Sequence, residues 1–155
     1  MMNKWMTRLA AFTTAATAAF ALTACGAQNK EIDPAAVADS LLNSVAFASE
    51  LEKASDTTAS LMFDLPEGTQ IDLYMGNGAY SDELAIITCA DGKDVATAEQ
   101  AVEQHLSSLK ASFEDYIPEE ADKVDGAVSK TIGSTIILCV SGDENAAAAV
   151  DAAIK

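Results

Sequence analysis

Cys25 is the residue whose type and setting most clearly specify chemistry. Together with residues 22–24 (Leu-Thr-Ala) it forms a segment typical of a bacterial lipobox, in which the cysteine thiol receives diacylglycerol. A basic start with Lys4 and Arg8 precedes it, followed by an uncharged apolar stretch over residues 9–22. This is the pattern of a secretory signal peptide, and the stretch is too short for the roughly 20 residues of a transmembrane helix. We therefore predict cleavage before Cys25 and lipidation of its thiol.

This prediction divides the chain into three parts. Residues 1–24 form a signal-peptide helix, residues 25–33 a lipidated tether, and residues 34–155 a single globular domain. Two acyl chains are sufficient for stable membrane anchoring. We therefore expect the protein outside the cytoplasm, held on the outer face of the cell membrane through the diacylglycerol on Cys25.

The charge of the chain restricts its partners. It has 24 acidic and 9 basic residues, a formal net charge of −15. Removal of residues 1–24 takes away Lys4 and Arg8, and every basic residue that remains is a lysine. Because nucleic-acid binding depends on basic side chains, we predict no nucleic-acid partner. A cationic ligand or another envelope protein is compatible with this charge, although solubility alone would also account for it.

Three further residues are reactive types in apolar settings. Cys89 and Cys139 each lie in a β-branched apolar run, and export would permit a disulfide between them. Because pairing would require one specific strand register, we favour two buried free thiols. His105, the only histidine, lies at the edge of a helical apolar stripe and is interpreted as packing. No catalytic, metal-binding or cofactor-binding residue is predicted, since the sequence lacks a second histidine and a Cys-x-x-Cys pair.

An acidic segment is the one candidate for ligand binding. Its carboxylates are Glu114, Asp115, Glu119, Glu120, Asp122 and Asp125. Such a run is usually only a solvated surface, and its spacing differs from that of a calcium-binding loop. If a ligand site exists, we expect it at Tyr116, Pro118, Glu119 and Glu120. A helix that ends before Pro118 presents unpaired carbonyl oxygens to a cation, and a tyrosine ring can contact an ammonium group.

Hydrophobic periodicity predicts the secondary structure. Asp33 and Pro34 begin a helix that reaches about residue 48, whereas residues 50–65 are ambiguous. Strands over residues 71–75 and 84–89 form one hairpin, and strands over 127–132 and 134–140 form another around Gly133. Helices are predicted over residues 95–116, 118–123 and 145–154.

These elements predict an α+β fold, a small antiparallel sheet of two hairpins with helices packed on one face. The long helix would turn a continuous apolar stripe to the core, formed by Val95, Ala98, Val102, Leu106, Leu109, Phe113 and Tyr116. The last helix would bury Ala147, Val150 and Ile154.

Two segments resemble a known family. They are Phe113-x-x-Tyr116-x-Pro118-x-Glu120 and the run over residues 81–86 (Ser-Asp-Glu-Leu-Ala-Ile). Over residues 35–154 the chain is similar to a Firmicute lipoprotein family catalogued as domain of unknown function 4358. The resemblance implies a Gram-positive surface lipoprotein. It supplies no catalytic residue, because the family has no assigned activity.

The sequence therefore favours a membrane-anchored binding or interaction module at the cell surface. Two alternatives stay open. One is an envelope hydrolase with an unrecognised carboxylate or serine site, and the other is a purely structural envelope component.

Overall fold

The structure, a computed structural model, describes residues 32–155. The predicted signal peptide and residues 25–31 of the predicted tether lie outside this range. None of the helices within it is long and apolar enough to cross a membrane. In chain order the elements are α1 (Pro34–Ser44), β1 (Glu52–Lys53), α2 (Asp56–Met62), β2 (Gln70–Met75), β3 (Glu83–Thr88), α3 (Val95–Glu114), α4 (Pro118–Asp125), β4 (Val128–Ile132), β5 (Thr135–Val140) and α5 (Ala146–Ala153).

The five strands form one antiparallel sheet in the order β1-β2-β3-β5-β4. Both predicted hairpins are confirmed. In the first, β2 and β3 pair from Gln70↔Thr88 to Met75↔Glu83. In the second, β4 and β5 close on a tight turn at Ile132↔Thr135. The α+β class is therefore confirmed, and β1 adds a short edge strand in the ambiguous region.

Helices cover both faces of the sheet, not one face as predicted. One hydrophobic cluster joins alternate residues of β3 and β5, such as Ile87 and Leu138, to α2, α3 and α4. The other joins the intervening residues, such as Ile86 and Ile137, to α1 and α5. The physical reason is visible in the composition of β5, because a continuous apolar run suits a strand that is buried on both faces.

Helix α1 begins as predicted and ends earlier. The Asp33 side chain accepts hydrogen bonds from the backbone N–H groups of Ala35 and Ala36, which caps the helix. The helix stops at Ser44 and not near residue 48. There the chain turns away, and the Ala46 N–H donates to Asp143 Oδ2 at 2.9 Å. This long-range contact replaces a further helical turn.

Two expected core positions are exposed. Tyr116 is 82% exposed, because α3 ends at Glu114 and the chain turns before Tyr116 could extend the stripe. Pro118 accounts for this end, since the residue before a proline is disfavoured in a helix. In α5, Ala147 is exposed and Ala146 is buried instead, together with Val150.

The two cysteines are buried and free, as favoured above. Cys89 belongs to the cluster beneath α3, whereas Cys139 belongs to the cluster beneath α1 and α5. Because they face opposite sides of the sheet, the two sulfur atoms are not placed to form a disulfide.

Candidate functional site

Three consecutive polar residues are buried where the first hairpin enters β3. Ser81, Asp82 and Glu83 are each 2% exposed. Polar groups removed from water require hydrogen-bond partners or counter-charges. Their partners come from α3 and α4, so this segment connects the hairpin to the helical layer.

Ser81 is bound by the carboxylate of Glu120 on α4. The Ser81 N–H donates to Glu120 Oε2 at 2.7 Å, and Ser81 Oγ lies 2.8 Å from the same oxygen. Ser81 Oγ also lies 3.1 Å from the Glu120 carbonyl oxygen. These contacts fix the end of the loop over residues 76–82 against the first turn of α4.

Lys123 completes this network by joining two carboxylates. Its Nζ donates to Asp82 Oδ2 at 2.9 Å and to Glu120 Oε2 at 2.8 Å. Burial opposes both charges, yet the hydrogen bonds outweigh it. They lower the pKa of Glu120 and raise the pKa of Lys123. Asp82 Oδ1 is buried without a hydrogen-bond partner among residues 32–155.

Glu83 pairs with His105 on α3. Glu83 Oε1 and His105 Nε2 are 2.6 Å apart, and both side chains are at most 5% exposed. The Phe63 ring stacks on the imidazole at a centroid distance of 4.0 Å. A buried carboxylate behind a histidine fixes the orientation of the ring and determines which nitrogen carries the proton.

The predicted ligand residues separate into two groups. Tyr116, Pro118 and Glu119 are exposed around the junction of α3 and α4. The Glu120 side chain instead points to Ser81 and Lys123. Glu120 therefore positions the loop from within, and its carboxylate is not part of the exposed surface.

The other carboxylates of the acidic segment do not converge on a metal site. Asp125 accepts hydrogen bonds from Lys110 Nζ, while Glu114, Asp115 and Asp122 are exposed. Within residues 32–155, no group of three or more histidine, cysteine, aspartate or glutamate side chains could hold a metal ion.

Sequence reasoning missed the buried positions of Ser81, Asp82 and Glu83 and the part-buried position of Lys123. It also placed His105 at a half-buried edge, whereas the residue is buried and paired. One signal was available. Two carboxylates stand directly before the apolar run that forms β3, and buried charges there would need partners elsewhere. The sequence does not identify those partners, because they are distant along the chain.

Comparison with known proteins identifies the family of this chain. A family model described as domain of unknown function (DUF4358) matches residues 47–141, more than half of the chain. That range includes the first hairpin, α3 and α4, and hence every residue of the buried network. No curated protein and no solved structure matches the chain.

Proposed function

Because this chain belongs to the DUF4358 family, whose description carries no activity, we propose a function from the geometry of the molecule. The protein is an extracytoplasmic lipoprotein, anchored through Cys25, whose domain binds a cationic ligand or a basic segment of another envelope protein. The binding surface consists of Tyr80, Tyr116, Pro118 and Glu119, and we refer to it as the Tyr116 surface.

The exposure of Tyr116 is the observation that carries this proposal. Its side chain is 82% exposed, and that of Tyr80 is 43% exposed. Scattered apolar side chains are normal on a protein surface, but tyrosine is enriched where proteins bind partners. These two residues flank the contact between Ser81 and Glu120 along the chain. The surface is therefore attached to the most strongly hydrogen-bonded part of the structure.

This attachment lowers the cost of binding. A partner that docks on a preformed surface does not have to order the backbone beneath it. Here Glu120 binds Ser81, and Lys123 Nζ lies 5.5 Å from the centroid of the Tyr80 ring. The buried network thus positions the Tyr116 surface, while the Tyr116 side chain stays exposed.

The surrounding charge indicates a basic partner. Glu114, Asp115 and Glu119 are exposed next to Tyr116 in the chain. Acidic side chains attract a cationic group over a distance of about 10 Å at moderate salt. A tyrosine ring can then contact that group through its face.

The position of the predicted tether suits an outward-facing surface. Ile32 and Pro34 line a cavity with Gln70, Thr88 and Gly133, at the end of the sheet where β2 begins and β3 ends. The loop over residues 76–82 lies at the opposite end. With Cys25 anchored in the membrane, the Tyr116 surface would point away from it.

Anchoring is tested by labelling cells with an alkyne fatty acid. We expect the wild-type protein to incorporate the label and to fractionate with membranes, whereas Cys25→Ala should do neither. Cys89→Ala, which retains Cys25, is the matched control and should be labelled like the wild type. Recovery of unlabelled wild-type protein from the cytosol would refute the proposed location.

Binding is tested by thermal shift with full-length protein in detergent, using tetramethylammonium and N-acetylated oligoarginine, cations that have no primary ammonium group, as probes. A ligand that binds only the folded state raises the melting temperature. We expect that rise to be lost in Tyr116→Ala/Glu119→Gln and kept in Asp39→Asn, an exposed change on α1. No rise with either probe, or a rise that survives the double substitution, would contradict this site.

The contacts weigh against the hydrolase alternative at the buried network. Ser81 is only 2% exposed, so its hydroxyl group is not open to a substrate. A general acid that works near neutral pH needs a raised carboxyl pKa. The pKa of Glu120 is shifted in the opposite direction.

A further inference from the structure

A groove between α2 and α3 contains a second, independent polar site. Its volume is about 210 Å³, and His105 contributes to its lining. The His105 side chain is otherwise only 5% exposed, and its Nε2 is engaged by Glu83. Among residues 32–155, its Nδ1 has no hydrogen-bond partner. An almost fully buried ring therefore lines the groove with one nitrogen that has no partner among residues 32–155 and that retains contact with solvent.

The hydrogen-bond partner of Nε2 determines whether Nδ1 is a donor or an acceptor. An ionised carboxylate only accepts hydrogen bonds, so the Glu83 carboxylate requires the proton of the ring on Nε2. In the uncharged imidazole, Nδ1 is then an acceptor. Stacking with Phe63, at an interplanar angle of 30°, keeps the ring in this orientation.

Two serine hydroxyls of the groove also present acceptors, and the Gln104 amide, which lines the groove as well, has both an acceptor and a donor. Ser60 Oγ donates its proton to the Thr57 carbonyl, and Ser108 Oγ donates to the Gln104 carbonyl, both at 3.0 Å. Each hydroxyl group has one proton, so only its lone pairs remain for a ligand. The carboxylate of Asp64 adds a negative charge at the same groove.

We propose that this groove binds a primary ammonium group carried on an alkyl stem. An ammonium group has three donors and no acceptor, which matches Nδ1, the two serine oxygens and the Asp64 carboxylate. The stem has an apolar contact in Leu61, which lines the groove and is 83% exposed. This site does not include the Tyr116 surface and does not depend on the function proposed for it.

The single histidine of the chain makes the proposal directly measurable. In full-length ¹⁵N-labelled protein in detergent, His105 gives the only imidazole signals of the chain. The two nitrogen shifts report which ring nitrogen carries a proton. Butylamine is the probe, and butanol and butyrate are its matched controls, since they have the same stem without the cation.

We expect butylamine to move the Nδ1 resonance to saturation and the two controls to leave it in place. Asp64→Asn should weaken butylamine binding about three-fold, the size expected for a pair with an exposed carboxylate. Asp39→Asn on α1 and Tyr116→Ala should leave the affinity that is read from the Nδ1 resonance unchanged, which separates this site from the Tyr116 surface.

Several results would overturn the proposal. One is a Nδ1 resonance that does not move with butylamine at millimolar concentration. A second is an equal response to butyrate, and a third is unchanged affinity in Asp64→Asn. A ring that keeps both protons throughout the pH range in which the protein is folded would also overturn it, because Nδ1 would then have no free lone pair.

Discussion

The two hairpins lie in the same antiparallel sheet but are closed by different kinds of turn. The second hairpin, β4–β5, closes through Gly133 and one further residue, directly beyond the pair Ile132↔Thr135. The first hairpin, β2–β3, uses residues 76–82, and this loop brings Ser81 and Asp82 into the interior. One connection is as short as a hairpin allows, whereas the other is long and depends on distant side chains.

This difference shows which parts of the molecule determine the conformation of each turn. A two-residue turn specifies register through its own backbone, so the register of β4–β5 is determined locally. The longer loop takes its conformation from Glu120 and Lys123 on α4. The same dependence attaches the loop to the Tyr116 surface, where we place binding.

The largest expected effect comes from Lys123→Met in the network of the first hairpin. The substitution would leave Asp82 and Glu120 buried without their counter-charge, which typically costs about 3–5 kcal/mol in the free energy of unfolding. Urea denaturation measures this loss. Lys110→Met is the matched control, because its pair with Asp125 is solvent-exposed, and we expect little change there. Equal losses in the two variants would show that the buried network does not hold the loop.

In the second hairpin, we expect the free energy of unfolding to be sensitive to substitution of Gly133. Gly133 has a φ of 58°, where a side chain costs about 1–2 kcal/mol, and a two-residue turn cannot redistribute that strain. We expect Gly133→Ala to lower the free energy of unfolding by about that amount. Gly78→Ala in the first hairpin should cost less, although its φ is 81°. A seven-residue loop can redistribute the backbone strain, and the added Cβ would meet no atom within 4 Å. A larger loss for Gly78→Ala would reverse the comparison.

Much of the fold follows from sequence pattern, and the exceptions have physical reasons. Both hairpins and α3 were predictable because alternation and helical periodicity are local signals. The coverage of both sheet faces was missed, although the continuous apolar run in β5 indicated it. The pattern over residues 50–65 is ambiguous because α2 begins within a polar run, where Ser55 is its N-cap and accepts a hydrogen bond from the Thr58 N–H.

The candidate site was less predictable, since its contacts join residues far apart in sequence. The acidic segment was identified, but the inward direction of Glu120 depends on Ser81, 39 residues earlier in the chain. The pairing of Glu83 with His105 likewise requires the packing of α3 on β3. Periodicity indicates that such residues are near a core, and only the tertiary structure shows which ones meet.

A smaller effect should distinguish the carboxylate–lysine pairs associated with each hairpin. Lys123 lowers the pKa of Glu120 in a buried setting, whereas Lys130 of β4 lowers the pKa of the exposed Asp151. A carboxyl group whose pKa is lowered by folding stabilises the fold at pH values above its ordinary pKa. This stabilisation is lost as the pH falls through the pKa of the folded state. The ordinary pKa of this carboxyl group is 4.5. As the pH falls below it, the free energy of unfolding of the wild type should therefore decrease toward that of Glu120→Gln, which lacks this stabilisation at every pH.

Salt provides the control for this comparison. Exposed pairs are screened by salt, and buried pairs are screened much less. In urea titrations across the acid range, high salt should remove the difference between wild type and Asp151→Asn. The difference between wild type and Glu120→Gln should persist. If salt removed both differences equally, the network of the first hairpin would be as solvent-exposed as that of the second.

The smallest expected effect concerns the cysteine that each hairpin contributes. Cys89 follows β3 and Cys139 lies in β5, and they are 3% and 1% exposed. Burial raises the pKa of both thiols, that of Cys139 to about 11. Because the thiolate is the reactive form, iodoacetamide should modify neither residue in the folded protein at pH 8, and both should react in urea. Dithiothreitol should leave the melting temperature unchanged, since the two thiols face opposite layers of the fold. Peptide mapping that found Cys89 linked to Cys139, or Cys89 alkylated without denaturant, would show that β3 and β5 are less firmly buried than their register implies.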